Sequence, residues 1–183
     1  MDKIDVLMAT YNGQKFLKEQ IDSILNQTYS DFRLIISDDC SKDETRQILE
    51  EYEKKDKRIE VYLQKKNLGY VKNFEFLLTK VENNIYMLSD QDDVWKPKKL
   101  ISAINKLKEY NNTPALYMSA LEIVDTNLKY IETKKVEGNF TLEGEIIKNF
   151  ATGCTQVFNK NLCNIIKQYK PKYIIMHDSW ITR

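Results

Sequence analysis

The sequence predicts an α/β fold, a mostly parallel, doubly wound sheet flanked by helices, and three observations carry that prediction. Strand and helix signals alternate through residues 1–110. The strand candidates are near-continuous apolar runs, the pattern of strands covered on both faces. No Pro/Gly/Ser-rich linker interrupts the alternation, and 183 residues with 42% hydrophobic side chains suffice for one core but not for two full domains.

The elements follow in order. Ile4 to Thr10 reads as a central strand, and after the break at Asn12-Gly13, Leu17, Ile21, Ile24 and Leu25 recur at helical spacing. Phe32 to Ser37 is a second strand. Ser41-Lys42-Asp43-Glu44 has the form of a capping box, with Ser41 as N-cap of a helix carrying Thr45, Ile48, Leu49 and Tyr52 on its apolar stripe. Ile59 to Leu63 is a third strand, followed by a helix marked by Val71, Phe74, Leu78 and Val81. Ile85 to Ser89 is a fourth, running into an acidic turn, with Pro97 suited to the first residue of a helix carrying Leu100, Ile104 and Leu107. Four βα units imply a parallel sheet.

Beyond Tyr110 the rhythm changes. Ala115 to Val124 and the region of Tyr130-Ile131 are strand candidates separated by Asp125-Thr126-Asn127, the pattern of a small antiparallel addition. Helical patterns at Leu142 to Phe150 and Leu162 to Tyr169 precede a strand candidate at Tyr173 to Met176 and then His177-Asp178-Ser179-Trp180. The sequence stops inside what reads as a structured element, so it is expected to be a C-terminally truncated piece of a longer protein.

Composition excludes several classes. Lys plus Arg (28) nearly cancels Asp plus Glu (27), which leaves no basic footprint for nucleic acid. No run approaches the ~18 apolar residues of a membrane span, and no signal-peptide core is present, so a cytosolic protein is expected. Cys40, Cys154 and Cys163 are odd in number and form no CxxC pair, which predicts reduced thiols and no structural zinc. With His177 the single histidine, a bound metal would be held mainly by oxygen and would be a hard ion, Mg²⁺ or Mn²⁺.

In an open parallel sheet the ligand sits outside the carboxyl ends of the strands. The loops expected there carry Thr10-Tyr11-Asn12-Gly13, Asp38-Asp39, Asn67-Leu68-Gly69 and Asp90-Gln91-Asp92-Asp93. Five carboxylates at one edge repel one another unless a cation or hydrogen-bond donors offset them. A divalent ion with a nucleoside diphosphate derivative is the simplest solution, since Mg²⁺ is commonly held by one or two carboxylates plus substrate phosphates. Neither GxGxxG nor GxxxxGK occurs among the five glycines, against the dinucleotide and P-loop readings. A receiver-like phosphoacceptor domain would need an Asp where the third strand ends in Gln64-Lys65-Lys66.

The set Met8-Ala9-Thr10-Tyr11-Asn12-Gly13, Ser37-Asp38-Asp39-Cys40-Ser41, Asn67-Leu68-Gly69, Ser89-Asp90-Gln91-Asp92-Asp93-Val94-Trp95 and His177-Asp178-Ser179-Trp180 resembles the family 2 glycosyltransferases of the GT-A fold, in particular their bacterial rhamnosyltransferase-like members. The resemblance implies one GT-A domain over 1–183, with a nucleotide-sugar-binding half at 1–110 and an acceptor-side half at 111–183. It implies a nucleotide-sugar site containing Thr10, Tyr11, Asn12, Asp39, Asn67, Gly69, Asp90 and Gln91, with Asp39 accepting a hydrogen bond from the pyrimidine base and Asp90 approaching the ribose. By the same resemblance Asp92 ligates the Mn²⁺ or Mg²⁺ that bridges the diphosphate, His177 is a further candidate ligand, and Asp93 supports the motif. Asp178 matches the catalytic base of an inverting transfer, and Gly153, Cys154, Thr155 and Trp180 match the acceptor side. Ser179 departs from the family's second aromatic residue at that point.

The implied activity moves a sugar from a UDP- or dTDP-linked donor to a glycan or lipid-linked acceptor in cell-surface polysaccharide synthesis. The place is the cytoplasm, at the inner face of the membrane by peripheral association. Plainer roles stand beside these: Asp38 and Asp39 as strand terminators, Asp178 as a helix N-cap, His177 as a packed imidazole, and Trp95 and Trp180 as core residues rather than sugar platforms. A nucleotide-sugar-binding module or inactive transferase fragment is the alternative from another class. A nucleotidyltransferase is disfavoured by the missing glycine-rich N-terminal loop.

Overall fold

The computed structural model describes residues 3–136 and 152–169. The predicted helix at Leu142 to Phe150, the predicted strand at Tyr173 to Met176 and the residues His177, Asp178 and Trp180 lie outside the described residues. Within them the order is β1 (Ile4–Thr10), α1 (Leu17–Leu25), β2 (Phe32–Asp38), α2 (Thr45–Lys55), β3 (Ile59–Leu63), α3 (Tyr70–Leu78), β4 (Ile85–Ser89) and α4 (Lys99–Leu107). Then come β5 (Leu116–Met118), β6 (Leu121–Val124), β7 (Tyr130–Lys134), β8 (Gln156–Asn159) and α5 (Lys160–Gln168).

Six strands form one sheet in the order β3-β2-β1-β4-β8-β5, with β3, β2, β1 and β4 parallel and β8 antiparallel to both its neighbours. The apolar runs have the cause expected of them, because alternate residues of each strand enter opposite cores. Val6, Met8, Leu34, Ile36 and Met87 pack with α1, α2 and α4 through Leu17, Ile21, Leu49, Leu100 and Ile104. Leu7, Ile35, Tyr86, Leu88 and Phe158 pack on the other face with Phe74 and Leu77 of α3 and Cys163 and Ile166 of α5. The result is a three-layer sandwich around a sheet buried on both sides. The three cysteines are free thiols.

Three expectations are corrected, and one strand was not foreseen. Ser41 does not cap α2, whose N-cap is Glu44 with no side-chain cap hydrogen bond. The Ser41 hydroxyl instead donates to the Asp38 carboxylate, which holds it short of the helix. Pro97 precedes α4 rather than opening it, and its carbonyl accepts from the Thr28 N–H (2.9 Å). The stretch 115–124 is two strands in different sheets: β5 pairs with β8, whereas β6 pairs with β7 in a separate two-stranded sheet. Strand β8 has no periodicity to reveal it, since all four of its residues are buried and two, Gln156 and Asn159, are polar. Asn159 also caps α5 by accepting from the Leu162 N–H (3.1 Å).

Because Phe158 is fully buried at the centre of the second core, Phe158→Ala is expected to lower unfolding free energy by about 3–5 kcal/mol, read from the midpoint of urea denaturation.

Candidate functional site

Strands β2 and β3 lie on one side of β1, whereas β4 lies on the other. The order reverses there, and the crevice beyond the carboxyl ends of β1 and β4 is where an open α/β sheet takes its ligand. In register, Thr10 stands beside Asp38 and Met8 beside Ser89, so the three loops leave the sheet at nearly one level.

The loop after β1 is held by side chains from its neighbours. Four consecutive backbone N–H groups are taken in turn: Tyr11 donates to Gln91 Oε1 (2.9 Å), Asn12 to Ser41 Oγ (2.9 Å), Gly13 to Thr45 Oγ1 (2.8 Å) and Gln14 to Asp43 Oδ2 (3.2 Å). Asn12 adopts a left-handed backbone (φ 50°), a conformation that Asn tolerates better than most residues, and its Oδ1 accepts from the Lys42 N–H (2.9 Å). The loop is therefore set by tertiary contacts rather than by turn chemistry of its own.

The acidic pair after β2 divides its work. Asp38 is fully buried and accepts from Arg46 Nε (2.8 Å), the Ser41 N–H (3.1 Å) and the Ser41 hydroxyl. Arg46 also donates to the Gln64 carbonyl (2.7 Å), and its hydrogen bond to Asp38 raises the guanidinium pKa further. Asp39 accepts from the Leu68 N–H (2.6 Å) and the Gly69 N–H (2.9 Å), which brings the loop after β3 over the crevice. Asn67 Oδ1 shares the Gly69 N–H (3.0 Å), and Gly69 has φ +79°, so the chain turns there without Cβ strain.

After β4 the Ser89 hydroxyl accepts from Gln20 Nε2 (2.7 Å) and donates to the Asp90 carbonyl (3.0 Å). The segment that follows is tied to α1: Trp95 N–H donates to Ser23 Oγ (2.9 Å), and Gln27 Nε2 donates to the Lys96 carbonyl (2.8 Å). Asp90, Asp93 and Cys154 each offer a ligand atom, all within 4.8 Å of one another. Asp93 Oδ2 is buried without a hydrogen-bond partner. Asp92 lies on the exposed side of the turn, and its carboxyl is nonetheless pushed above the ordinary range by desolvation and by the charge of Asp93.

These groups suit a hard cation. Burial, then the Asp93 and Asp90 carboxylates, push the Cys154 thiol far up. The hard donors of the cluster are the carboxylate oxygens of Asp90 and Asp93, and Asp92, the ligand expected from the sequence, is not among its three groups. The Lys99 ammonium lies 5.2 Å from the Trp95 ring, its pKa lowered by burial against the pull of Cys154 and Asp93. A cavity of about 640 Å³ opens beside this cluster, lined among others by Asp92, Asp93, Trp95, Lys99, Tyr117 and Cys154. Gly153, Cys154 and Thr155 form one buried 3₁₀ turn running into β8, next to β4.

Of the residues singled out from the sequence, Gln91 joins Thr10 (2.7 Å) and Tyr11, Asn12 is held by Ser41, Asp39 holds the loop of Asn67 and Gly69 while its own N–H donates to the Thr10 carbonyl (2.8 Å), and Asp90 meets Cys154. Asp178, His177 and Trp180 lie outside the described residues. Sequence reasoning missed Ser41, Thr45 and Arg46 as supports and Lys99 as a charge beside the acids. Only the four-residue spacing of Trp95 and Lys99 could have hinted at the last.

Comparison with known proteins agrees with this geometry. The family model described as "Glycosyl transferase family 2" matches residues 5–176. The dTDP-rhamnosyl transferase RfbG of Shigella flexneri is 32% identical over 170 residues, covering 88% of this chain and 57% of its own length. An uncharacterized glycosyltransferase of Haemophilus influenzae is 29% identical over 169 residues, covering 92% of this chain and 48% of its own. Staphylococcus aureus TarS, solved in complex with UDP-GlcNAc, superposes with a TM-score of 0.77 at 23% identity, covering 98% of this chain and 52% of that one. Mannosyltransferase PcManGT from Pyrobaculum calidifontis, in complex with GDP-Man and Mn²⁺, gives 0.68 at 16% identity, covering 96% and 49%. The chain spans about half the length of the curated relatives it matches. A mostly parallel sheet with its acidic loops gathered at the β1/β4 reversal, together with a family match over nearly the whole chain, establishes that this chain belongs to glycosyl transferase family 2, with a GT-A fold.

Proposed function

We propose that this chain carries the donor site and catalytic core of a metal-dependent, inverting glycosyltransferase. It moves a sugar from a nucleoside-diphosphate sugar, UDP- or dTDP-linked, to a glycan or lipid-linked acceptor in cell-surface polysaccharide synthesis. The observation that carries the reading is the meeting of three βα loops at the sheet reversal, with paired carboxylates at the end of β4 and Asp39 clasping the loop of Asn67 and Gly69. The donors named in the TarS and RfbG descriptions support the ligand class, and the PcManGT complex supports the ion.

In this reading Thr10, Tyr11, Asn12, Asp39, Asn67 and Gly69 surround the nucleotide and Asp90 faces the ribose. Asp92 holds Mn²⁺ or Mg²⁺, assisted by Asp93, with His177 as a further ligand. Bound there, the ion neutralises charge developing on the diphosphate oxygen, a contribution of several kcal/mol. Asp178 takes the proton of the acceptor hydroxyl as its oxygen attacks the anomeric carbon opposite the leaving group. One carbon–oxygen bond forms, the bond to the diphosphate breaks, and the configuration inverts. Gly153, Cys154, Thr155 and Trp180 flank the acceptor, which enters by the cavity beside Asp93 and Lys99. No helix among the described residues is long and apolar enough to cross a membrane. The proposed place is the cytoplasmic face, by peripheral association.

Because the chain spans about half the length of its relatives, a second reading is a module that binds nucleotide sugar without transferring it. Incubation with a panel of UDP- and dTDP-sugars separates the two: a transferase releases free nucleotide, whereas a pure binder shows only a thermal shift, worth about 2.7 kcal/mol at a hundredfold excess over Kd.

Two substitutions test the assignments. Asp92→Asn is expected to remove the Mn²⁺-dependent component of nucleotide binding measured by calorimetry, as chelation of the ion does in the unsubstituted protein. Asp178→Asn is expected to leave nucleotide affinity within about twofold and to cut turnover by roughly 10²–10⁴-fold; full turnover in that variant removes Asp178 from the role of base.

A further inference from the structure

Gln91 sits between Asp90 and Asp92, yet its amide reaches away from them, across the reversal point to the loop after β1. Its Oε1 accepts from the Thr10 hydroxyl (2.7 Å) and the Tyr11 N–H (2.9 Å), and its Nε2 donates to the Tyr11 carbonyl (3.3 Å). One side chain thereby makes three hydrogen bonds to two residues some 80 positions earlier in the chain.

Gly13 gives an independent observation. Its φ lies outside the left-handed region, so no dihedral requires glycine there. Space does: a Cβ at this position would stand 2.5 Å from Gln91 Oε1, 2.9 Å from Gln91 Cδ and 3.0 Å from Thr10 Oγ1. The bare backbone at 13 is what lets the Gln91 amide lie flat against the loop.

We infer that Gln91 is a positioning residue that locks the Thr10–Gly13 loop to the Asp90–Asp92 loop, and that Gly13 is glycine to admit it. The clasp makes one rigid unit of the part of the donor site that meets the nucleotide and the part that meets the diphosphate. This inference rests on the donor-site reading given above. The loop after β1 keeps its other three N–H contacts, to Ser41, Thr45 and Asp43, when the clasp is cut. The loss therefore falls on alignment of the two loops rather than on folding.

The test is a double-mutant cycle on UDP affinity in excess Mn²⁺, by titration calorimetry, with thermal unfolding of each variant. Gln91→Ala and Gly13→Ala are each expected to weaken UDP binding about tenfold, as for the loss of roughly one charge-neutral hydrogen bond or a little more. The melting temperature of Gln91→Ala should stay close to that of the unsubstituted protein. In the double variant the added methyl has the room the amide vacated and keeps only its 3.0 Å approach to Thr10 Oγ1, so the two losses should be clearly less than additive. In steady state, Gln91→Ala should raise the KM for the nucleotide sugar more than it lowers kcat. Full additivity of the two losses, or unchanged UDP affinity in Gln91→Ala while Asp92→Asn abolishes it, overturns the clasp and leaves the donor site standing. Absence of Mn²⁺-dependent binding of UDP and of dTDP to the unsubstituted protein overturns both.

Discussion

β1 is hydrogen-bonded to β2 on one side and to β4 on the other, so the loops after β1, β2 and β4 leave the sheet along one carboxyl edge. The strand order reverses at the β1/β4 pair, and the crevice at the carboxyl edge of such a reversal is where an open α/β sheet takes its ligand. Each feature of the candidate site is an answer to that crevice. The Gln91 amide spans it, the Asp39 carboxylate draws the third loop across its side, and the acids after β4 line its floor.

Buried acids occur at both ends of the same sheet, and their surroundings separate structural from functional roles. At the far end Asp5, fully buried on β1, accepts from Arg33 Nε (2.9 Å), the Glu82 and Asn83 N–H groups (2.8 and 2.9 Å) and Asn83 Nδ2 (2.6 Å). Four donors saturate that carboxylate, and removing it would strand them. Asp38 is saturated in the same way by Arg46 and Ser41. Asp93 differs: a buried oxygen lacks a donor, the neighbouring Asp92 is pushed toward its neutral form, and the Lys99 ammonium is destabilised close by. Among the described residues, unmet electrostatic demand is concentrated at the end of β4, the place that the proposed function gives to the cation.

Much of the fold was legible. The runs Ile4 to Thr10 and Phe32 to Ser37 are apolar on both faces because the sheet has helices on both sides, and the stripe Leu17, Ile21, Ile24 named α1 directly. Where reading failed, a tertiary partner outcompeted a local signal. Ser41 has the spacing of a capping residue, but the Asp38 carboxylate and the Asn12 N–H claim its hydroxyl. Strand β8 is polar at Gln156 and Asn159, and it is a strand because β4 and β5 supply its ladders from either side.

The alternation of strands and helices, the acids and glycines of the βα loops, and the family are written along the chain, because periodicity and motif order are properties of neighbouring residues. The tertiary structure decided which of those acids are satisfied and which are not. Asp38 and Asp39 stand side by side in sequence, yet one is sealed by Arg46 and the other holds a loop from the next βα unit. Gln91 reads as a filler between two aspartates until the reversal at β1 brings Thr10 and Tyr11 within reach of its amide. The physical reason is the range of the forces: patterning is settled within a few residues, whereas hydrogen-bond satisfaction and charge compensation in a crevice depend on groups that only folding brings together.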